Sequence, residues 1–220
     1  MTELRTDEEQ AEALKKWWAD NGAGVVTTIA VVAAGWFGWG AWQNNQQQTG
    51  EAASAVYSQL VELSAKPAES QDAAAKAEMQ ALAEQLKSDY SSTSYADFGS
   101  LFIARFAAEA GDYDSAVAEL NALIASADKG PIKYTAQARL AAILVQQEKL
   151  DEALAIVTNI PDPAYAPQFE ETRGDALFLK GDKAAAREAY LRALGAAQEL
   201  GINNPALQRK ADSLAIAGDA

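Results

Sequence analysis

The sequence contains no cysteine and no histidine. Without these side chains, structural zinc sites, iron–sulfur clusters, thiol catalysis and histidine-based general base catalysis are excluded. Disulfide bonds are excluded as well, so cysteine content says nothing about the redox compartment. Glycine-rich phosphate loops and Gly-x-Ser-x-Gly nucleophile motifs are also missing. The sequence therefore predicts no metal and no cofactor, and it favours a protein that is not an enzyme.

Basic residues are scarce relative to acidic ones. The chain has 18 Lys and Arg residues against 31 Asp and Glu residues, which gives a net charge of −13. After residue 50 the balance is 15 basic to 25 acidic residues. An acidic domain repels phosphate backbones, so nucleic acid is not expected as a partner.

Charge is missing altogether from residues 21–50. Within this stretch, residues 23–42 are mostly apolar, and as a helix they are long enough to cross about 30 Å of hydrocarbon. Tryptophan residues stand near both ends of the apolar run, as they do at membrane interfaces: Trp17, Trp18, Trp36, Trp39 and Trp42. The pattern predicts a transmembrane helix over 23–42, and it predicts membrane lipid as a partner.

The sequence disfavours two alternatives to a membrane span. A buried helix of a soluble core rarely carries such a long uncharged stretch between aromatic belts. A cleavable signal peptide has a shorter apolar region, and the preceding residues 1–22 form an acidic tail that is long for such a peptide. A retained span is therefore the prediction.

Orientation follows from the basic residues near the ends of the span. Lys15 and Lys16 precede it closely, whereas the first basic residue after it is Lys66. The positive-inside rule then predicts that the tail is cytoplasmic and that the chain after the span lies outside the cytoplasm, in the periplasm of a bacterium with two membranes.

Small residues recur every four positions inside the span, at Ala30, Ala34 and Gly38. Such a stripe allows a second transmembrane helix to approach closely, so these residues are candidate contacts within the membrane. The alternative is an alanine-rich span that simply tolerates them.

The rest of the chain has helical periodicity throughout. Residues 43–50 form a polar, uncharged linker, and residues 51–217 are predicted to form an all-α domain. Helices are expected near 51–65, 71–89, 95–110, 113–126, 131–147, 150–159, 166–180, 183–200 and 205–217.

An internal repeat appears when the turns at Gly111, Glu148 and Gly181 are aligned. Five positions after each turn stands an alanine, and seven positions before it stands another small residue: Ala116, Ala153, Ala186, Ala104, Ala141 and Gly174. Small residues at these spacings, repeated about every 34 residues, are typical of tetratricopeptide repeats. Glycine at the turn allows a left-handed cap, so the second repeat, with glutamate there, is expected to end its helix differently.

The alignment of the three repeats also predicts a concave groove that is lined by the first helix of each repeat. The candidate lining residues are Phe98, Leu101, Arg105, Thr135, Ala138, Ala142, Val145, Gln168, Glu171, Asp175 and Phe178. The larger apolar members could anchor a partner segment, although the alternative is that they pack against neighbouring helices. The adjacent carboxylates Glu170 and Glu171 are interpreted as solvated groups near a helix start.

The chain resembles the YfgM-like family, the ancillary subunit of the bacterial Sec translocon. The resemblance rests on residues 16–22 (KWWADNG), 38–42 (GWGAW), 173–177 (RGDAL) and 180–187 (KGDKAAAR), and it runs from end to end. One departure is Ala142, which stands where similar sequences tend to have arginine. Charge-based partner preferences should therefore not be carried over.

The resemblance implies a single-pass protein of the bacterial inner membrane with a periplasmic tetratricopeptide-like domain. It further implies association with Sec translocon subunits and with a membrane-anchored periplasmic chaperone of the peptidyl-prolyl isomerase type, so that emerging exported chains are passed to chaperones. The alternative function is envelope-stress signalling or assembly, in which the cytoplasmic tail modulates the stability of a response regulator. Deletion of residues 1–20 would abolish the second function and spare the first.

Overall fold

The computed structural model describes residues 7–67 and 72–214. Within these ranges every regular element is helical, so the all-α prediction is confirmed. The α-helices are α1 Asp7–Ser64, α2 Ala73–Asp89, α3 Tyr95–Glu109, α4 Tyr113–Ser126, α5 Pro131–Gln146, α6 Leu150–Val157, α7 Ala166–Leu179, α8 Lys183–Glu199 and α9 Pro205–Asp212. A short 3₁₀ turn, Pro163–Tyr165, precedes α7.

The contacts divide the chain into two compact units, residues 1–52 and 53–220. In the first unit, α1 exposes its apolar side chains, among them Trp36 and Phe37. Its most apolar stretch has a mean hydropathy of 1.5 and is long enough to cross a membrane. Since few residues of that stretch are buried within the chain, it is not a core helix of the described protein.

The expected linker, residues 43–50, is helical and belongs to α1. Its polar side chains bond along the helix, because Thr49 donates to the carbonyl oxygen of Asn45 at 2.8 Å and the amide of Gln47 donates to Glu51 at 2.9 Å. No proline interrupts this stretch, and glutamine is a good helix former, so nothing in it ends the helix.

The second unit is a stack of helix pairs. Each helix packs chiefly on its neighbours in the chain, and α5 also contacts α3 and α7. The pairs α3/α4, α5/α6 and α7/α8 correspond to the three predicted repeats. The last turns of α1 share a core cluster with α2, where Leu60, Met79 and Leu86 are fully buried. At the other end, Leu207 and Ala211 of α9 cover α8.

The small residues of the repeat lie where two helices meet. Ala116, Ala153 and Ala186 are completely buried. A Cβ atom built on Gly174 would lie only 2.4 Å from Cε1 of Tyr190, so α7 and α8 approach closely at this point. The repeat spacing thus reflects the requirement for a minimal side chain at each crossing.

The turn of the second repeat corrects an expectation. Glu148 adopts the same left-handed conformation as the two glycines, with φ 57° against 81° at Gly111 and 89° at Gly181. The hydrogen bonding is also the same, since Lys149 N donates to the carbonyl oxygen of Leu144 just as Asp112 N donates to that of Ala107. The second repeat therefore ends its helix in the same way, and a left-handed residue with a Cβ costs about 1–2 kcal/mol more than glycine.

Candidate concave binding surface

The first helices of the three repeats, α3, α5 and α7, lie side by side, and cavities open between them. The α5–α7 groove has a volume of about 670 Å³. Six of the predicted lining residues line this groove together: Thr135, Ala138, Ala142, Gln168, Glu171 and Asp175. They come together because residues three or four positions apart share one face of α5 or of α7. Ala138 lies at the floor of this face, since it is only 8% exposed and also belongs to a core cluster.

A second cavity of about 470 Å³ opens between α3 and α5, and we call it the α3–α5 groove. Phe98, Leu101 and Arg105 line it, although Leu101 is largely buried. Tyr57, from the last turns of α1, also lines it and stacks 5.1 Å from the ring of Phe98. The candidate residues of the first repeat, Phe98, Leu101 and Arg105, thus line the α3–α5 groove and not the α5–α7 groove.

Two predicted residues lie elsewhere. Val145 is only 4% exposed and belongs to the main core cluster, which corrects its expected place in the groove. The next residue, Gln146, lines a third cavity of about 620 Å³ instead. Because an α-helix has about 3.6 residues per turn, the residues of one face are not a constant number of positions apart, and Gln146 rather than Val145 continues the exposed face of α5. Phe178 is 44% exposed at the end of α7 and lines none of these three cavities.

Arg139 is a central lining residue that the set predicted from the sequence does not contain. It lines all three cavities, and its guanidinium donates to the carbonyl oxygen of Leu101 at 3.1 Å. The signal was present, since Arg139 lies four positions after Thr135 and three before Ala142. Three residues with this spacing share one face of a helix.

The α7 side of the α5–α7 groove carries charge that α9 compensates. Lys210 of α9 lies 2.8 Å from Glu171 and 2.8 Å from Asp175. Burial by itself lowers the pKa of Lys210, but the hydrogen bonds and charges of the two carboxylates outweigh it and hold the pKa above its ordinary value. Lys210 therefore stays charged at neutral pH, and its single positive charge offsets one of the two carboxylate charges of the groove.

Tyr190 ties α8 to the same charged group. Its hydroxyl donates to Asp175 Oδ1 at 2.8 Å. Burial, together with this hydrogen bond, raises the pKa of Tyr190, so the phenol stays neutral. Asp175 thereby has fixed partners on two helices.

Glu170 is not the solvated carboxylate that its position suggested. Its side chain is 7% exposed and lies between Arg173, at 2.6 Å, and Arg192, at 3.0 Å. Arg173 also donates to the carbonyl oxygen of Val157 at the end of α6. Through these two arginines, the Glu170 carboxylate therefore connects α7 to α6 and to α8.

The described residues contain no group of three or more carboxylates that could hold a metal ion. The three cavities are open to solvent and are lined by a mixture of apolar, polar and charged side chains. Such surfaces suit the binding of a peptide segment.

Comparison with known proteins agrees with this architecture. The family model of tetratricopeptide repeat-like domains matches residues 15–216. The chain is also 30% identical to the ancillary SecYEG translocon subunit of Haemophilus influenzae over 194 residues, which cover 88% of this chain and 91% of that protein. The chain belongs to the YfgM-like, tetratricopeptide repeat-like family.

Other members of this family are similar over most of their length. The ancillary SecYEG translocon subunit of Neisseria gonorrhoeae is 26% identical over 208 residues, 94% of this chain and 97% of that protein. The Escherichia coli protein of the same name is 27% identical over 184 residues, 84% and 85% of the two chains. No solved structure matches the chain significantly. Membership of the YfgM-like family, which the resemblance implied, and the predicted tetratricopeptide-like fold are both confirmed.

Proposed function

We propose that this protein is a non-enzymatic scaffold, anchored in the inner membrane, that associates with the Sec translocon. The observation that carries the proposal is similarity along nearly the whole chain, apolar helix included, to proteins named ancillary SecYEG translocon subunits. A scaffold of this kind needs an anchor and a protein-binding surface. α1 supports the first requirement, and the concave surface of α3, α5 and α7 supports the second.

The concave surface suits weak and reversible binding. The α5–α7 groove exposes few large apolar side chains, and most of its charged groups are already paired within the chain. Emerging exported chains and a membrane-anchored periplasmic chaperone of the peptidyl-prolyl isomerase type are the partners that we propose for it. Weak contacts allow a chain to be passed on from the translocon to the chaperone.

The proposed orientation places residues 1–22 in the cytoplasm, the span at 23–42 and the domain at 51–217 in the periplasm. Lys15 and Lys16 before the apolar stretch support it. Protease added to spheroplasts should therefore degrade the domain, and the same protease added to intact cells should not. A domain that is protected in spheroplasts until detergent is added would contradict the orientation.

Contact with the translocon is proposed to involve the span as well as the domain. Ala30 and Ala34 are exposed in the structure, and a Cβ atom added at Gly38 would meet nothing within 4 Å. Close packing of another transmembrane helix on this stripe supplies attraction without polar contacts. Because the two contacts share one membrane, each raises the effective concentration of the other.

Gly38→Leu should therefore weaken copurification of the full chain with translocon subunits from mild detergent, while the melting temperature of the repeat domain stays unchanged. Loss of one of the two linked contacts is expected to reduce the amount of translocon subunits recovered with the chain by about tenfold or more.

Gly40→Leu is the matched control for this experiment. It adds the same side chain at a glycine that is also open, about 200° around the helix from Gly38. Its recovery should equal that of the unmodified chain. Equal loss in the two variants would show that the stripe is not the contact, and no copurification of the unmodified chain would contradict the scaffold function itself.

A further inference from the structure

Arg139 occupies the centre of the concave surface. It is the residue that lines the α5–α7 groove, the α3–α5 groove and the third cavity alike. A segment that crosses from α3 to α7 must pass over its guanidinium. The position of Arg139 therefore decides what kind of residue a bound segment can place at its middle.

Within the described part of the chain, Arg139 differs from the other charged residues of these cavities in its partners. Arg105 pairs with Glu109 at 2.6 Å, and Glu171 and Asp175 both pair with Lys210. None of the described carboxylates forms an ion pair with Arg139, and one carbonyl oxygen, that of Leu101, accepts from it. A guanidinium has five N–H donors, so most of its capacity is open to a ligand.

Arg139 is exposed to solvent, although neighbouring groups cover part of its side chain. Burial, and after it the nearby charge of Arg105, lowers the pKa of Arg139. A carboxylate at this point would offset the repulsion from Arg105 and could accept two parallel hydrogen bonds from the guanidinium. The chain has a net charge of −13, whereas the Arg139 guanidinium is a local positive charge.

Apolar side chains flank Arg139 on both sides. Tyr113 and Ile143 line the third cavity, and Phe102 and Ile132 line the α3–α5 groove. We propose that Arg139 anchors an acidic side chain of a partner protein's segment, with apolar side chains of that segment packed on either side. The inference rests on the proposed function, since it assumes that the concave surface holds a protein segment, and it names the chemistry that the segment must have.

The test uses the full chain in nanodiscs and two labelled peptides, acetylated and amidated at their ends. Both have a central residue between two leucines, which is glutamate in one and glutamine in the other. Fluorescence anisotropy should show about fivefold tighter binding of the glutamate peptide at low salt, the effect of one partly exposed ion pair. Raising the ionic strength should reduce the preference.

Arg139→Gln should remove the preference, so that the two peptides bind equally. Lys76→Gln, the same loss of charge at an exposed position of α2 outside the cavities, should keep it. Should Arg139→Gln unfold through loss of the bond to Leu101, Ala142→Asp supplies the second variant. It places a carboxylate one turn from Arg139 to occupy the guanidinium, and it should also remove the preference.

The outcomes separate the inference from the function on which it rests. If the unmodified chain binds both peptides equally, or if Arg139→Gln and Ala142→Asp both keep the preference, the anchoring role is wrong while peptide binding stands. If neither peptide binds at any concentration tested, the concave surface does not hold such segments. In that case the proposed function loses its binding surface as well.

Discussion

Gly174→Ala should destabilise the repeat domain by about 1–3 kcal/mol, the usual cost of overpacking in a close-packed core. The added methyl carbon would lie 2.4 Å and 2.5 Å from two ring carbons of Tyr190. The ring cannot turn aside, because Tyr190 is buried and its hydroxyl is bonded to Asp175. Either α7 and α8 must separate or the hydrogen bond must break. Urea unfolding of the detergent-solubilised chain measures the loss.

Gly195→Ala is the matched control for Gly174→Ala. It makes the same change in the interior of α8 at a glycine whose added Cβ would meet no atom within 4 Å. Alanine there should stabilise the chain by about 0.4–1 kcal/mol, since it restricts the unfolded state and favours the helix. The two variants should therefore shift the midpoint in opposite directions. Shifts of the same sign would show that Gly174 does not lie at a tight crossing.

Glu170→Ala should lower the free energy of unfolding by about 1–3 kcal/mol. Removal of the carboxylate leaves Arg173 and Arg192 facing each other across the space that it filled. A fully buried charge that loses its partner costs about 3–5 kcal/mol. The smaller loss is expected because Arg192 is 49% exposed, so water can solvate its guanidinium.

Glu188→Ala is the control for Glu170→Ala, because Glu188 is the other carboxylate near Arg192. It is 76% exposed and lies 4.0 Å away, so its loss should change stability by less than about 0.5 kcal/mol. Both variants are compared by the same urea titration. If they lose equal stability, Glu170 acts as a surface residue and not as the connection between α6, α7 and α8.

Most helix boundaries after residue 72 could be predicted because their signals are local, whereas the helix start expected at residue 51 is absent, since α1 continues through residues 43–50 to Ser64. Pro131 and Pro205 begin helices, and the side chains of Asp112 and Asn204 accept backbone N–H bonds at the starts of α4 and α9. The turn of the second repeat could not be predicted, because glutamate rarely adopts φ 57°. The aligned turn hydrogen bonds of the repeat hold Glu148 in that conformation despite its Cβ.

The sequence by itself determined the apolar helix, the helical repeat domain and the small residues at the helix crossings. Composition and periodicity are properties of neighbouring residues, so they can be read without knowledge of the tertiary structure. For the same reason, the sequence predicts that six residues of α5 and α7 line one groove. Helical spacing places those of each helix on a single face.

Only the tertiary structure decided which polar residues lie inside and which apolar residues are covered. α5 contacts α3, α4, α6 and α7. Helices therefore cover most of its circumference, and the periodicity of its apolar residues no longer separates a core face from a groove face. Val145 is buried there, and Arg139 faces three cavities at once. Glu170 is buried because Arg192, 22 positions further along the chain, is brought beside it by packing of α8 on α7. Such contacts depend on the distances between whole helices, which no local pattern encodes.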